Sequence, residues 1–299
     1  MKSYVREVSD GVHAYIQQNG SWWINNTGFL AGRRGVIAID ASSTERRTRA
    51  FKDAIAGVTD RPVTTLVNTH HHGDHTFGNH LFPEATIVGH EKTREQVLAE
   101  GIPTYLGLAW SPDVEWGAME VAPPFLTFTD RIALYSDDLR CEVVHVGFAA
   151  HTTNDSFVWI PSRKVLFSGD LLFKDGTPFM LMGSIAGALR ALDLVEGLGA
   201  ETIVPGHGAV CGPEVIDEVR GYLRFVQEAA DRGRAAGLSP LETARETDLG
   251  AYAELVDPER LVGNLHRAYA DLDGTEVDLT AAVLDMITFN GGNPLTCHA

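Results

Sequence analysis

Short apolar runs rich in β-branched residues recur along the first two thirds of the chain, each bounded by Gly, Pro, Asn or Asp. Runs of this kind read as buried strands. They fall at residues 12–16, 28–31, 35–40, 62–67 and 85–89, then at 131–134, 139–146, 156–160, 164–167 and 202–206. Between them the polar periodicity changes to that of helices. One starts at Ser42 or Ser43 as cap and runs to about Gly57, one spans 91–100 and one 184–198. After Gly212 the chain reads as helical throughout. Val215, Val219, Leu223 and Val226 recur at helical spacing in 214–234, Ser239 caps a helix with Pro240 in its first turn, and 258–272 and 279–289 follow. Strands alternating with helices predict a layered α/β domain over residues 1–212, with 213–299 as a C-terminal helical extension packed on it. Residues 101–124 break the pattern. They are rich in Pro and Gly and carry Tyr105, Leu106, Trp110 and Trp116, which suits a lid or pocket wall, or an insertion packed on its own aromatics.

The strand at 62–67 leads into His70-His71-His72-Gly73-Asp74-His75, four imidazoles and a carboxylate in six positions. Imidazole nitrogen and carboxylate oxygen are ligands that zinc accepts. A merely polar loop and an inserted tag are the alternatives, and the run is internal and interrupted by Gly73 and Asp74. Three other strands also end at or shortly before a candidate ligand: His151 after 139–146, Asp170 after 164–167, and His207 after 202–206. The carboxyl ends of strands line the crevice in which α/β sheets bind ligands. Four ligand-bearing strand ends therefore predict a metal site. Iron and manganese accept the same donors as zinc.

The other features narrow the picture. A 299-residue chain that is 44% hydrophobic can bury a large core. Cys141, Cys211 and Cys297 are too few and too scattered for a disulfide framework, so a reducing cytoplasm is expected. No apolar segment of signal-peptide or membrane-span type is present, so no membrane partner is expected. A net charge of −16 opposes nonspecific nucleic-acid binding. Local basic faces remain at Arg46, Arg47, Arg49 and Lys52, and at Arg220, Arg224, Arg232 and Arg234, either solvated or available to an acidic partner. Trp22 and Trp23 stand side by side in the loop 17–26, either exposed for a ligand or tucked under the sheet. His266 and His298 read as surface histidines.

The string His70-x-His72-x-Asp74-His75, with His151, Asp170 and His207, resembles the metallo-β-lactamase superfamily over roughly residues 10–212. The resemblance implies an α/β fold, a four-layer αββα sandwich with two metals at the sheet edge. It implies that His70, His72 and His151 hold the first zinc, that Asp74, His75 and His207 hold the second, and that Asp170 bridges them. His71 would then point away, and His13, His80, His90 and His145 would be structural. Secreted zinc β-lactamases commonly place Cys where Asp170 stands. Glyoxalase II enzymes follow the third His with Thr-Pro-Gly-His, against His151-Thr152-Thr153-Asn154 here.

A nearer likeness lies in residues 151–156, 167–173 and 176–184, which resemble the lactamase-like cyclases of aromatic polyketide pathways, of the second-ring type. That implies a small-molecule polyketide substrate carried on an acyl carrier protein, closed by an aldol step and released by thioester hydrolysis. Asp74 would move a proton as the catalytic carboxylate. Trp22, Trp23, Trp110, Trp116, Phe179 and Met182 would wall a pocket for a flat substrate, or else pack in the core. The alternatives are a general hydrolase of lactones, lactams or glutathione thioesters, and a non-hydrolytic metal-binding redox or sensor module.

Overall fold

Seven of the ten apolar runs form strands covered on both faces, while those at 62–67, 131–134 and 139–146 keep alternate residues toward solvent. The computed structural model describes residues 3–17, 19–103 and 109–299, and Tyr105 and Leu106 lie outside the described residues. The first part of the chain supplies β1 (Tyr4–Ser9), β2 (Val12–Ile16), β3 (Thr27–Ala31), β4 (Val36–Ile39), β5 (Val63–Val67), β6 (Thr86–His90), β7 (Trp110–Ser111) and β8 (Leu126–Phe128). Then follow β9 (Arg131–Ser136), β10 (Leu139–His145), β11 (Ser156–Ile160), β12 (Val165–Phe167), β13 (Thr202–Val204) and β14 (Leu295–Thr296). Among the described residues, one sheet has the order β1-β2-β3-β4-β5-β6-β8 and a second the order β13-β12-β11-β10-β9, while β7 and β14 pair by themselves. The first sheet is antiparallel up to β4 and parallel from there on. In the second, only β12 and β13 run parallel.

The helices are α1 (Glu45–Ala56), the single turn α2 (Gly73–Thr76), α3 (Glu91–Glu100), α4 (Ile185–Glu196), α5 (Glu214–Ala236), α6 (Pro240–Glu246), α7 (Arg260–Asp273) and α8 (Leu279–Phe289). Three apolar clusters define the layers. Ile16, Leu30 and Ile39 of the first sheet meet Val143, Val158, Ile160 and Phe167 of the second. On the outer face of the first sheet, Phe29, Ala38 and Leu66 pack on Phe51 and Ile55 of α1. On the outer face of the second, Phe157, Trp159 and Ile203 pack on Ala188 and Leu192 of α4 and Val219 and Leu223 of α5, and the same cluster takes in Leu261 and Leu265 of α7. Each large aliphatic side chain buried in this way contributes roughly 1.5–3 kcal/mol relative to exposure. The fold is the αββα sandwich with C-terminal helices.

Local differences from the expected elements have identifiable causes. Thr44, not Ser42 or Ser43, caps α1, its side chain accepting from Arg47 N. Ser42 Oγ instead accepts from Gln17 Nε2, and Ser43 Oγ donates to the Trp23 carbonyl. Ser239 does cap α6, in a reciprocal box with Glu242. The 101–124 stretch is tied down along its described length: β7 pairs in parallel with β14, Glu45 of α1 bonds to Trp116 O and Ala118 N, and Asn79 and Arg94 donate to the carbonyls of Ala122 and Pro124. The basic groups on the helices are largely engaged. Arg47 bonds to Gln17 and to the carbonyl of His298, Arg49 pairs with Glu45, and Arg220 pairs with Asp193, Glu196 and Asp217. His266 is not a bare surface histidine: its Nε2 stands 2.8 Å from Asp285 Oδ2 and its side chain is mostly covered. Among the described residues no helix is long and apolar enough to cross a membrane.

Candidate metal centre

The end of β5 is where the centre begins. Val67 is followed by Asn68, whose side-chain amide donates to His75 O, so the chain folds back at once. Thr76 Oγ1 is within reach of the carbonyls of His71 and His72 and closes the turn. The single turn of α2 then presents Asp74 and His75 beside His70 and His72. His151 follows β10, Asp170 sits in the 3₁₀ turn after β12, and His207 follows β13. All seven residues meet at one edge of the sandwich.

They form two groups that share one member. Candidate ligand atoms of His70, His72, His151 and Asp170 lie within 4.8 Å of one another, as do those of Asp74, His75, Asp170 and His207. His151 Nε2 is 2.9 Å from His72 Nδ1 and 3.4 Å from Asp170 Oδ2. His207 Nε2 is 3.2 Å from Asp74 Oδ2 and 3.3 Å from Asp170 Oδ2. His75 Nε2 approaches Asp170 Oδ1 to 3.1 Å, yet without the geometry of a hydrogen bond.

The remaining ring nitrogens are held from behind. His207 Nδ1 faces the Gly20 carbonyl at 3.1 Å, His70 Nδ1 faces Thr69 Oγ1 at 3.1 Å, and His151 Nδ1 faces the Phe179 carbonyl. His75 Nδ1 is held at 2.9 Å by Asp40 Oδ2. Asp40 is buried and also accepts from Thr69 N and Thr69 Oγ1, both at 2.8 Å. Sequence reading missed Asp40. Its only signal was a carboxylate at the end of an apolar strand. His71 is turned out of both groups, toward Asn154 and Glu100.

The electrostatics suit cations. Burial, reinforced mainly by His75, pushes His70 well below the usual histidine range. Burial and His151 do the same to His72, so both rings are neutral. Burial opposes ionisation of Asp74 and Asp170, but the neighbouring histidines outweigh it and both carboxyls stay low and anionic. Burial likewise opposes charge on His75 and His207. There Asp170 and its neighbours win: His75 lies well above its usual range, and His207 is pushed up to about 9. His70 Nε2, His75 Nε2 and Asp170 Oδ1 are buried with no hydrogen-bond partner among the described residues. Orphaned buried donors and acceptors are costly. Lone pairs converging around two points, with two carboxylates among them, fit a pair of divalent metal ions.

The profile of the Metallo-beta-lactamase superfamily matches residues 20–207, more than half of the chain and all seven of these residues. The chain belongs to the metallo-beta-lactamase superfamily. It is 22% identical over 241 residues to a metallo-beta-lactamase type 2 from Bacteroides fragilis, covering 76% of this chain and 88% of that protein. It is 27% identical over 188 residues to a hydroxyacylglutathione hydrolase from Rhodospirillum rubrum, covering 58% of this chain and 61% of that protein. Among solved structures, a metallo-beta-lactamase from Pontibacter korlensis superposes with a TM-score of 0.61 at 17% identity, covering 75% of this chain and 99% of that one. Membership supports a metal-dependent hydrolase.

Around this superfamily centre the aromatic residues divide. Trp22 leaves the expected pocket wall and goes to the core. It is 8% exposed, its Nε1 donates to Glu259 at 2.7 Å, and its ring packs edge-on to Phe179. Trp23, Trp110 and Trp116 are half-buried and meet edge to face, with Trp23 also stacked on Phe77 just beyond α2. Met182 Sδ lies 3.3 Å from His72 Nε2, at the rim of the first ligand group.

Proposed function

We propose that this chain is a dinuclear zinc hydrolase of acyl thioesters. Its substrate is a polyketide chain, which it closes at the second ring and releases from an acyl carrier protein. The carrying observation is the sharing of Asp170 between two ligand groups beside half-buried aromatic side chains. His70, His72 and His151 would hold one ion, Asp74, His75 and His207 the other, and Asp170 both. Two zinc ions held there supply Lewis acidity, which acidifies a water and polarises a carbonyl. Asp74, anionic and 3.2 Å from His207 through Oδ2, is placed to take and return a proton at that oxygen. Trp23, Trp116 and Met182 supply an apolar flank against which a flat acyl chain can lie. The similarity to a hydroxyacylglutathione hydrolase supports thioester chemistry.

The similarity to a metallo-beta-lactamase type 2 favours a second reading, hydrolysis of a lactam or lactone. The purified zinc-loaded protein, assayed on carrier-protein and N-acetylcysteamine thioesters of aromatic polyketides beside simple lactams and lactones, separates the two. Thioester turnover is expected. Thioesters left untouched while a lactam or lactone turns over would refute the thioester reading.

A further inference from the structure

The largest fully buried side chain of the described residues is the guanidinium-bearing Arg260, at the start of α7 and outside the stretch matched by the superfamily profile. Its partners lead to the metal centre. Asp257 Oδ2 holds it at 2.8 Å, and it donates to the Thr177 carbonyl at 3.0 Å. Its guanidinium stands 4.3 Å from the Trp22 ring centroid and 5.8 Å from that of Phe173. Phe173 in turn stacks on His207, with centroids 5.2 Å apart and planes 7° from parallel.

The same segment grips the other side of that histidine. Asp257 accepts from Ser21 Oγ at 2.8 Å and from Trp22 N at 3.0 Å, and Glu259 accepts from Trp22 Nε1. Ser21 directly follows Gly20, whose carbonyl faces His207 Nδ1. One ring face and the distal nitrogen of His207 are therefore both set by groups that end on Asp257 and Arg260. A planar guanidinium can stack on aromatic faces and bond in plane at once, which an ammonium cannot. Groups behind a metal-binding histidine fix its orientation and raise its basicity.

We propose that Asp257 and Arg260 are positioning residues for the second metal ion: the C-terminal helices aim His207, through Phe173 on one side and the Gly20–Trp22 loop on the other. This rests on the assignment of His207 to that ion. The test is stepwise metal binding by the full chain, with Co2+ followed by visible absorption and Zn2+ by competition with a chromophoric chelator. Arg260→Gln and Phe173→Leu should each weaken the His207-side ion by about 10–100-fold, the range usual for groups behind a ligand, and leave the His70-side ion within about 3-fold.

A purely structural role would lower the melting temperature and shift both ions together or neither, and either result in a folded variant overturns the proposal. If Arg260→Gln does not fold, Asp257→Asn, which keeps the side-chain size and loses the ion pair, decides by the same measurement. A wild-type protein that takes up one ion would instead remove the two-ion reading, and a His207→Ala variant that keeps two would remove the assignment of His207; either takes this inference with it.

Discussion

Metal-free protein should lose stability as pH rises from neutral to mildly alkaline values. The reason is His207, held in its protonated form by Asp170 and Asp74 against the penalty of burial, with its pKa pushed up to about 9 from an ordinary 6.5. A group whose folded pKa lies above its unfolded one contributes stability that is fully present below the unfolded value and is lost as pH climbs through the folded value. The window is therefore 6.5 to 9. A shift of that size corresponds to about 3 kcal/mol, at up to about 1.4 kcal/mol per pH unit within the window. His75, also raised, adds a loss of the same sign. The buried thiols add to the loss only near the top of the window: burial raises Cys141 and Cys211 to about 12 and Cys297 to about 11, whereas unfolded thiols ionise from about 8.5, so the fall between pH 6.5 and 8 belongs to the histidines. For a chain of this size about 3 kcal/mol is several degrees in Tm. Chelator-treated protein, melted by circular dichroism from pH 6 to 9, should show the fall. His207→Ala should reduce it, and zinc-loaded protein should not share the histidine part of it, because its ligands are already deprotonated. A metal-free protein equally stable at both ends of the window, or one more stable at pH 9, would refute the account of the site's charge.

Two further results follow from the packing. Asp40→Asn weakens the charge-assisted hold on His75 and should reduce affinity for the second ion by about 10–100-fold, measured by chelator competition, while far-UV circular dichroism stays native. Gly28→Ala would drive a methyl into the Phe167 ring between the two sheets. Overpacking of that kind costs about 1–3 kcal/mol, read as a lower urea midpoint at unchanged slope.

The layered fold was legible in the sequence because half of its strands, among them β2, β4 and β11, are buried on both faces and so read as continuous apolar runs. The 156–160 run coincides with β11, and the helices at 91–100 and 279–289 coincide with α3 and α8. β1 escaped because it is an edge strand whose Arg6 and Glu7 face water. β7 and β14 escaped because two residues carry no periodicity. At the site, local density was visible and long-range support was not. His70 to His75 announce themselves within one turn of chain, whereas Asp40 acquires meaning only through a histidine 35 positions later. The link from Asp257 to Ser21 spans 236 positions and leaves no mark in either local pattern. The two adjacent tryptophans looked equivalent in sequence. They differ because α7 offers Trp22 a carboxylate and a guanidinium, and leaves Trp23 to the other aromatics.

The dense run from His70 to His75 also bears on how the protein reaches its native state. Four of the seven converging residues sit within six positions, so an unfolded chain already offers a metal a flexible chelate before any sheet exists. A cation that binds the unfolded chain stabilises the native one by less than its native affinity suggests, because mass action counts only the difference. Excess zinc during refolding should therefore hold chains back, and metal supplied after the strands have paired should give the higher yield.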